Sequence, residues 1–287
     1  MFTILSVGID AIAYGMVLFV ISIGLSVTMG LMRVVNLAHG AFAMVGGYVA
    51  SYAIQNLGLG YGVSLVLAVA VVILVGILLE RLLYRRIYGS SDLTQVLMTI
   101  GISFCVIGIA NYVAGPTLKP IPLPEVLKAP LDIGFRTITV HKLFVIAIGF
   151  AVASAIWFVA ERTPFGVRLR ATVDNAAMAG SLGVRTKVIY ASSFAVAIGL
   201  SALGGILGAE LLPIEPYYAL RYMVTFLVVV CVGGAGSIGG GLVACLLLGA
   251  IETTARYAAP EFGEFFFYLA VIVVVSIFPN GLLGGAR

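Results

Sequence analysis

The sequence predicts an all-α integral membrane protein with about eight or nine transmembrane helices, some of them broken. Two observations carry this expectation. The apolar fraction is 62% and the charged fraction 10%, where a soluble domain carries about 25% charged residues. Such a surface belongs in lipid. The second observation is run length, because a helix needs ~20 mostly apolar residues to cross the hydrocarbon core. Stretches 11–31, 61–79, 143–160 and 188–209 meet or approach that length, and 265–278 is shorter but apolar apart from Ser276. Backbone groups in lipid must bond within their own segment, so continuous runs read as helices. A β-barrel would show alternating segments of ~10 residues.

The element order follows from the runs. Spans are expected at about 11–31, 38–55, 61–79, 93–113, 143–160, 188–210, 221–234, 238–257 and 264–279. The N-terminus has no basic stretch before its first run, so that run reads as a retained span rather than a cleaved leader. Two spans are candidates for broken or re-entrant helices. One is 221–234, whose apolar run ends in Gly233, Gly234, Ala235, Gly236 and Ser237. The other follows Arg33, Asn36 and His39 and is rich in small residues: Gly40, Ala41, Ala43, Gly46, Gly47 and Ala50.

Three polar segments separate the runs. The first, 80–92, holds Arg81, Arg85 and Arg86; the second, 115–142, holds five of the ten prolines; the third, 161–187, holds Arg162, Arg168, Arg170, Arg185 and Lys187. Lys and Arg orient membrane proteins, so the net charge of +4 needs no nucleic acid. Positive-inside bias puts the first and third segments in the cytoplasm and an extracytoplasmic loop at 114–142. Parity then puts the C-terminus inside. Within the third segment, Thr163-Pro164-Phe165-Gly166 reads as a turn. Residues 173–182 read as a short helix opened by Asp174 and Asn175 and stopped at Gly183. That segment is either a docking element for a cytoplasmic protein or an ordinary basic loop.

Polar groups at membrane depth cost a few kcal/mol and ask for a reason. Arg33, Asn36, His39 and Gly40 fit either a helix break facing a pathway or an interfacial turn with a snorkelling arginine. Residues 233–241 contain six glycines in nine positions. They lack the lysine that a phosphate loop requires, so close backbone packing or an unwound stretch is expected around Gly233, Gly234, Gly236 and Ser237. Glu210, Glu215, Arg221, Glu252 and Arg256 stand near span ends and read as interfacial, with Glu252 within reach of a cavity. Cys105, Cys231 and Cys245 have no metal-ligand spacing and read as buried apolar groups. No catalytic set appears: His39 and His141 are far apart, and there is no zinc-protease pattern or nucleophile elbow.

Several blocks, in order over nearly the whole chain, resemble one family. Gly24-Leu25-Ser26-Val27-Thr28-Met29-Gly30, followed by Met32-Arg33-Val34-Val35-Asn36-Leu37-Ala38-His39-Gly40, resembles the opening signature of LivH-type permeases of branched-chain amino acid ABC importers. Glu80-Arg81-Leu82-Leu83-Tyr84-Arg85, the 163–183 segment, Gly233-Gly234-Ala235-Gly236-Ser237-Ile238 and Phe278-Pro279-Asn280-Gly281-Leu282-Leu283-Gly284 resemble its later blocks.

The resemblance implies a type II-like importer permease, a single transmembrane domain over 1–287, in the bacterial inner membrane. It implies a second related permease chain, two cytoplasmic ATPase subunits and a periplasmic substrate-binding protein as partners. No cofactor is expected on this chain, and it is not expected to be an enzyme: ATP would be used by the partner subunits. The coupling element falls on 170–183, with Arg170, Asp174, Asn175, Ala176, Ala179 and Gly183. This chain has Asp174-Asn175-Ala176-Ala177 where many importers carry Glu-Ala-Ala. The implied solutes are branched-chain or other hydrophobic amino acids, with urea, short amides or aromatic acids as alternatives. From other classes, an autonomous channel, a gradient-driven secondary transporter or a membrane scaffold would share the composition.

Overall fold

A computed structural model describes residues 2–32, 34–132 and 136–283. The helices are α1 (Phe2–Ser26), α2 (His39–Gln55), α3 (Tyr61–Leu82), α4 (Asp92–Ala114), α5 (Glu125–Lys128) and α6 (Val140–Arg162). They continue with α7 (Pro164–Asp174), α8 (Ala176–Ser181), α9 (Thr186–Leu207), α10 (Tyr218–Gly233), α11 (Ile238–Ala258) and α12 (Gly263–Ile277). A small hairpin, β1 (Pro130–Asp132) with β2 (Thr137–Thr139), pairs antiparallel with Leu131 opposite Ile138. That hairpin and α5 fold part of the proline-rich segment, where no element is expected from the sequence.

Among the described residues, seven helices are long and apolar enough to cross a membrane. They correspond to α1, α3, α4, α6, α9, α11 and α12. The remaining two expected spans are the ones marked as candidates for breaks. α2 has 17 residues and α10 has 16, or about 25 Å each at 1.5 Å per residue, against ~30 Å of hydrocarbon. α2 starts inside the bundle, at the buried His39.

The helices alternate between two ends. One end carries 83–91, α7, α8 and 278–283 and is called here the arginine-rich end. The other carries 56–60, 115–132, 136–139, 208–217 and 259–262, the proline-rich end. There Ser51 and Gln55 of α2 both donate to the Pro120 carbonyl, at 3.0 and 2.8 Å, and Lys119 N donates to Ile214 O at 2.9 Å.

α1 is the most buried span and α12 the least. Phe19, Met16, Leu18 and Ile21 of α1 are wholly enclosed, between α9, α10, α11 and α6. A helix that is apolar all round belongs in such a centre. Close helix contacts in the bundle are admitted by small residues, as is usual where helices pack in lipid. A methyl built on Gly249 would meet the Gly15 backbone, and one on Gly46 would meet Ala202. Cys245 is buried, but Cys105 and Cys231 are exposed on their helices. The expectation of three buried cysteines therefore holds only for Cys245: the run that contains a residue gives its environment, not which face it occupies.

Candidate functional site: two helix breaks and an arginine-rich hairpin

The first break begins before Arg33. α1 widens into one π turn at Val27–Leu31, a feature that often marks functional positions in helices. Val34 N then donates to Thr28 O at 3.0 Å, and the chain runs unwound to α2. Unwound backbone in lipid needs partners, and α4 supplies them from one face. Gln95 Oε1 accepts from Val35 N at 2.9 Å, and Thr99 Oγ1 accepts from Leu37 N at 3.2 Å. Ser103 Oγ donates to Leu37 O at 3.5 Å. The spacing of four places all three on one stripe of α4. They are nearly inaccessible.

Asn36 and His39 complete this break. The Asn36 Oδ1 accepts from Ala38 N at 3.1 Å and from Tyr84 Oη at 2.9 Å. His39 Nε2 donates to Ile21 O at 2.8 Å, and the His39 carbonyl accepts from Ser201 Oγ at 2.8 Å. Asn36 is 0% exposed and His39 1%, so both lie inside the bundle. Gly40 lies against Ala219 of α10. Arg33 lies outside the described residues. Asn36 Nδ2 and His39 Nδ1 are buried and have no partner among the described residues.

The second break joins α10 to α11. Gly234 and Gly236 take φ of 90° and 84°, the left-handed region that glycine enters without steric cost. Ser237 restarts the helix: its Oγ accepts from Gly240 N at 3.0 Å, an N-cap. Gly233 and Gly240 approach so closely that a Cβ on either would overlap the other's backbone. The glycines therefore serve a tight reversal between two helices.

The tertiary structure joins the blocks. Gly236 N donates to Ser26 Oγ at 3.1 Å, and a methyl on Gly30 would overlap Ala235 and Gly236. Leu282 N donates to Val232 O at 2.7 Å, and Gly281 packs on Gly234. Residues 26–30, 232–237 and 281–282 thus form one knot near the arginine-rich end.

The arginine-rich segment folds as two helices. Thr163-Pro164 is not a free turn; Pro164 is the first residue of α7, a position where the missing N–H costs nothing. Gly166 lies against the Ala160 carbonyl, which lets α7 double back on α6. Arg170 fixes that angle by donating to Ala160 O at 2.8 Å and to Glu161 Oε1 at 3.3 Å. Asp174 closes α7. Asn175 caps α8, its Oδ1 accepting from Met178 N at 2.9 Å. Gly183, at φ 85°, ends the unit. On α8, Ala176 is exposed and Ala179 is buried, while Met178 and Leu182 stand 65% and 79% exposed.

A further cluster was not anticipated. At the proline-rich end Asp10 accepts from Lys142 at 2.6 Å, from Arg136 at 2.9 Å and from Tyr257 at 2.8 Å. Asp10 raises the Arg136 pKa by hydrogen bonding. Glu252 pairs with Arg256 at 2.5 Å and is 5% exposed, so it is buried rather than interfacial. Asp10, Lys142, Tyr257, Glu252 and Arg256 line a pocket of ≈ 200 Å³ with Tyr14 and Leu211. The available signal was Asp10 itself, the only acidic residue before Glu80. Nearby, His141 Nδ1 and Glu210 lie 2.9 Å apart, and that hydrogen bond lowers the Glu210 pKa.

An apolar bundle of seven membrane-length helices with two buried helix breaks defines a multi-pass membrane protein. The chain belongs to the family described as branched-chain amino acid transport system / permease component, whose model matches residues 8–275. It is similar to the high-affinity branched-chain amino acid transport system permease protein LivH of Escherichia coli K12, with 25% identity covering 96% of this chain and 94% of the relative. It is similar also to BraD of Pseudomonas aeruginosa, a permease protein of the same description, at 26% over 96% and 94%. A probable LivH of Methanocaldococcus jannaschii is 25% identical over 96% of this chain and 90% of its own length. No solved structure matches the chain.

Proposed function

We propose that the chain is the permease subunit of an ATP-driven ABC importer, moving branched-chain or other hydrophobic amino acids across the bacterial inner membrane by alternating access. The observation that carries this most directly is the placement of α7 and α8. They present Met178 and Leu182 at the end where the 26–30, 232–237 and 281–282 knot lies. Motion delivered to α8 passes along Arg170 to the end of α6, and Tyr190 Oη, which donates to Thr172 O at 3.4 Å, carries it to α9. The two breaks are where the helices can repack without disturbing whole spans.

In this scheme the arginine-rich end is cytoplasmic and docks two ATPase subunits, which bind and use ATP. The proline-rich end faces a periplasmic binding protein, and a second related permease completes the pathway. The chain supplies no nucleotide chemistry. Selectivity rests with the binding protein, and urea, short amides or aromatic acids are alternative solutes.

A gradient-driven carrier would need a buried carboxylate relay, and Asp10 and Glu252 are largely buried. Each is held by cations, however, and a fixed ion pair is a poor proton carrier.

The test is reconstitution of the permease pair in vesicles with and without the ATPases and binding protein. Met178→Glu and Leu182→Glu are expected to abolish substrate-stimulated ATPase activity while the permease pair still forms. Uptake by this chain without ATPases, or ATPase stimulation untouched by both variants, would sink the proposal.

A further inference from the structure

A slot runs along the outside of the bundle between α6 and the α3–α9 pair. α6 leans on α1, with Gly149 against Met16, while α3 and α9 pack together at Gly76 and Ile198. The stretch nearer the proline-rich end, ≈ 440 Å³, is lined by Tyr61, Phe144, Ile148 and Leu207 among others. The stretch nearer the arginine-rich end, ≈ 280 Å³, is lined by Val159, Phe165, Leu169, Val196 and Leu200 among others. Val152 and Ala155 belong to both, so the slot is continuous. Between Phe144 and Ala160 it follows α6 for about 24 Å at 1.5 Å per residue. That exceeds the ~15 Å of one leaflet.

We propose that the slot binds an acyl chain of an anionic phospholipid, with the phosphate held by Arg162 and Arg168. The walls are apolar, Ala151, Ala155 and Ala160 lower the α6 side between its larger residues, and no described side chain fills the space. A bilayer leaves no such space empty. The slot opens sideways to lipid. At the arginine-rich end it is closed by Phe165, Gly166 and Leu169 of α7. A spanning helix from a partner would run into α7, whereas a lipid enters laterally and turns its head outward at that level.

The head is assigned by charge. Arg162 lies one turn beyond Val159, and Arg168 one turn beyond Phe165, each continuing a wall of the slot. Both are exposed. The Arg162 guanidinium sits 5.5 Å from the ring of Trp157, which is half-exposed. Tryptophan collects at headgroup depth, so these two arginines stand where phosphates lie. Arg170 is already engaged by Glu161. At the opposite end Lys142 is taken by Asp10, and Glu210 adds negative charge, so an anionic head is disfavoured there.

The experiment uses the assembled transporter in mild detergent, titrated separately with phosphatidylglycerol and phosphatidylethanolamine, with retained lipids counted by native mass spectrometry. Wild type is expected to keep phosphatidylglycerol in preference to phosphatidylethanolamine. Ala155→Trp and Val196→Trp, from opposite walls and both at exposed positions, are expected to lower its retention about tenfold without shifting the melting temperature. The double variant Arg162→Gln, Arg168→Gln is expected to make the two lipids equivalent while leaving chain occupancy. Equal retention of both lipids by wild type, or retention unchanged in both tryptophan variants, overturns the proposal. Separation of the two permease chains by the tryptophan variants also overturns it, because the slot then seats a partner helix.

Discussion

Gly30 and Gly236, over two hundred positions apart in the chain, touch backbone to backbone. A Cβ on Gly30 would lie inside the Ala235–Gly236 peptide, and Gly236 N donates to Ser26 Oγ one turn earlier, at 3.1 Å. The contact fastens the π turn that ends α1 to the break between α10 and α11. It is the narrowest point of the knot, and it has no slack for a methyl group.

Gly30→Ala is therefore expected to destabilise the protein by about 1–3 kcal/mol through overpacking and to reduce transport at least tenfold. Gly8→Ala and Gly101→Ala, where nothing lies within 4 Å, are the controls. Melting of the purified chain in detergent, with uptake in reconstituted vesicles, measures both.

The unwound backbone at 34–38 depends on α4. Gln95→Leu and Thr99→Val each leave a buried N–H without a partner, at Val35 and Leu37 respectively, at a cost of about 1–3 kcal/mol apiece. The two losses are expected to be non-additive because both loosen one short segment. Melting of the purified chain in detergent measures the loss. An unchanged melting temperature in Gln95→Leu would mean that this hydrogen bond does not hold the break.

Asn175 divides α7 from α8 and caps the latter. Asn175→Ala should cost about 0.5–2 kcal/mol, confined to α8, while Asn175→Asp preserves the cap. Hydrogen exchange across 176–181 should accelerate in the alanine variant alone. If coupling runs through α8, substrate-stimulated ATPase activity falls in the same variant and is retained in the aspartate one.

Acid should act at Glu210. Hydrogen bonding to His141 lowers its pKa from the ordinary 4.5. A depressed folded-state pKa contributes stability that is fully present above the unfolded value and disappears as pH falls through the folded one. The stability gap between wild type and Glu210→Gln is thus expected to be constant above about pH 5 and to close below 4.5. It should stay under about 1 kcal/mol, because the carboxylate is half-exposed and screened. Melting curves from pH 3 to 7 follow it directly.

Legibility differed from one residue to the next. Asn175 and Gly183 could be placed because a cap and a left-handed stop are local chemistry. Gly234 and Gly236 were recognisable as a break because glycine density is itself the signal. Thr163-Pro164 misled: proline punctuates a helix start as readily as a turn, and only Gly166 packed on Ala160 distinguishes the two. Asp10 stands just before the first apolar run and nothing local marks its role, because its partners Arg136, Lys142 and Tyr257 come from distant parts of the chain.

The amino-acid order alone settled the solvent, the helical class and the positions of the apolar runs. Each of those follows from side-chain transfer and from the need to satisfy backbone groups inside one segment. It also marked 38–55 and 221–234 as the irregular pair. Which donors and acceptors rescue the unwound chain was decided only by the tertiary structure. Gln95, Thr99 and Tyr84 meet the first break, and Ser26 meets the second, across separations that no local pattern encodes. A buried polar group can be recognised from its neighbours in sequence as needing a partner. The identity of that partner depends on which helix faces it, and facing is a property of the packed bundle.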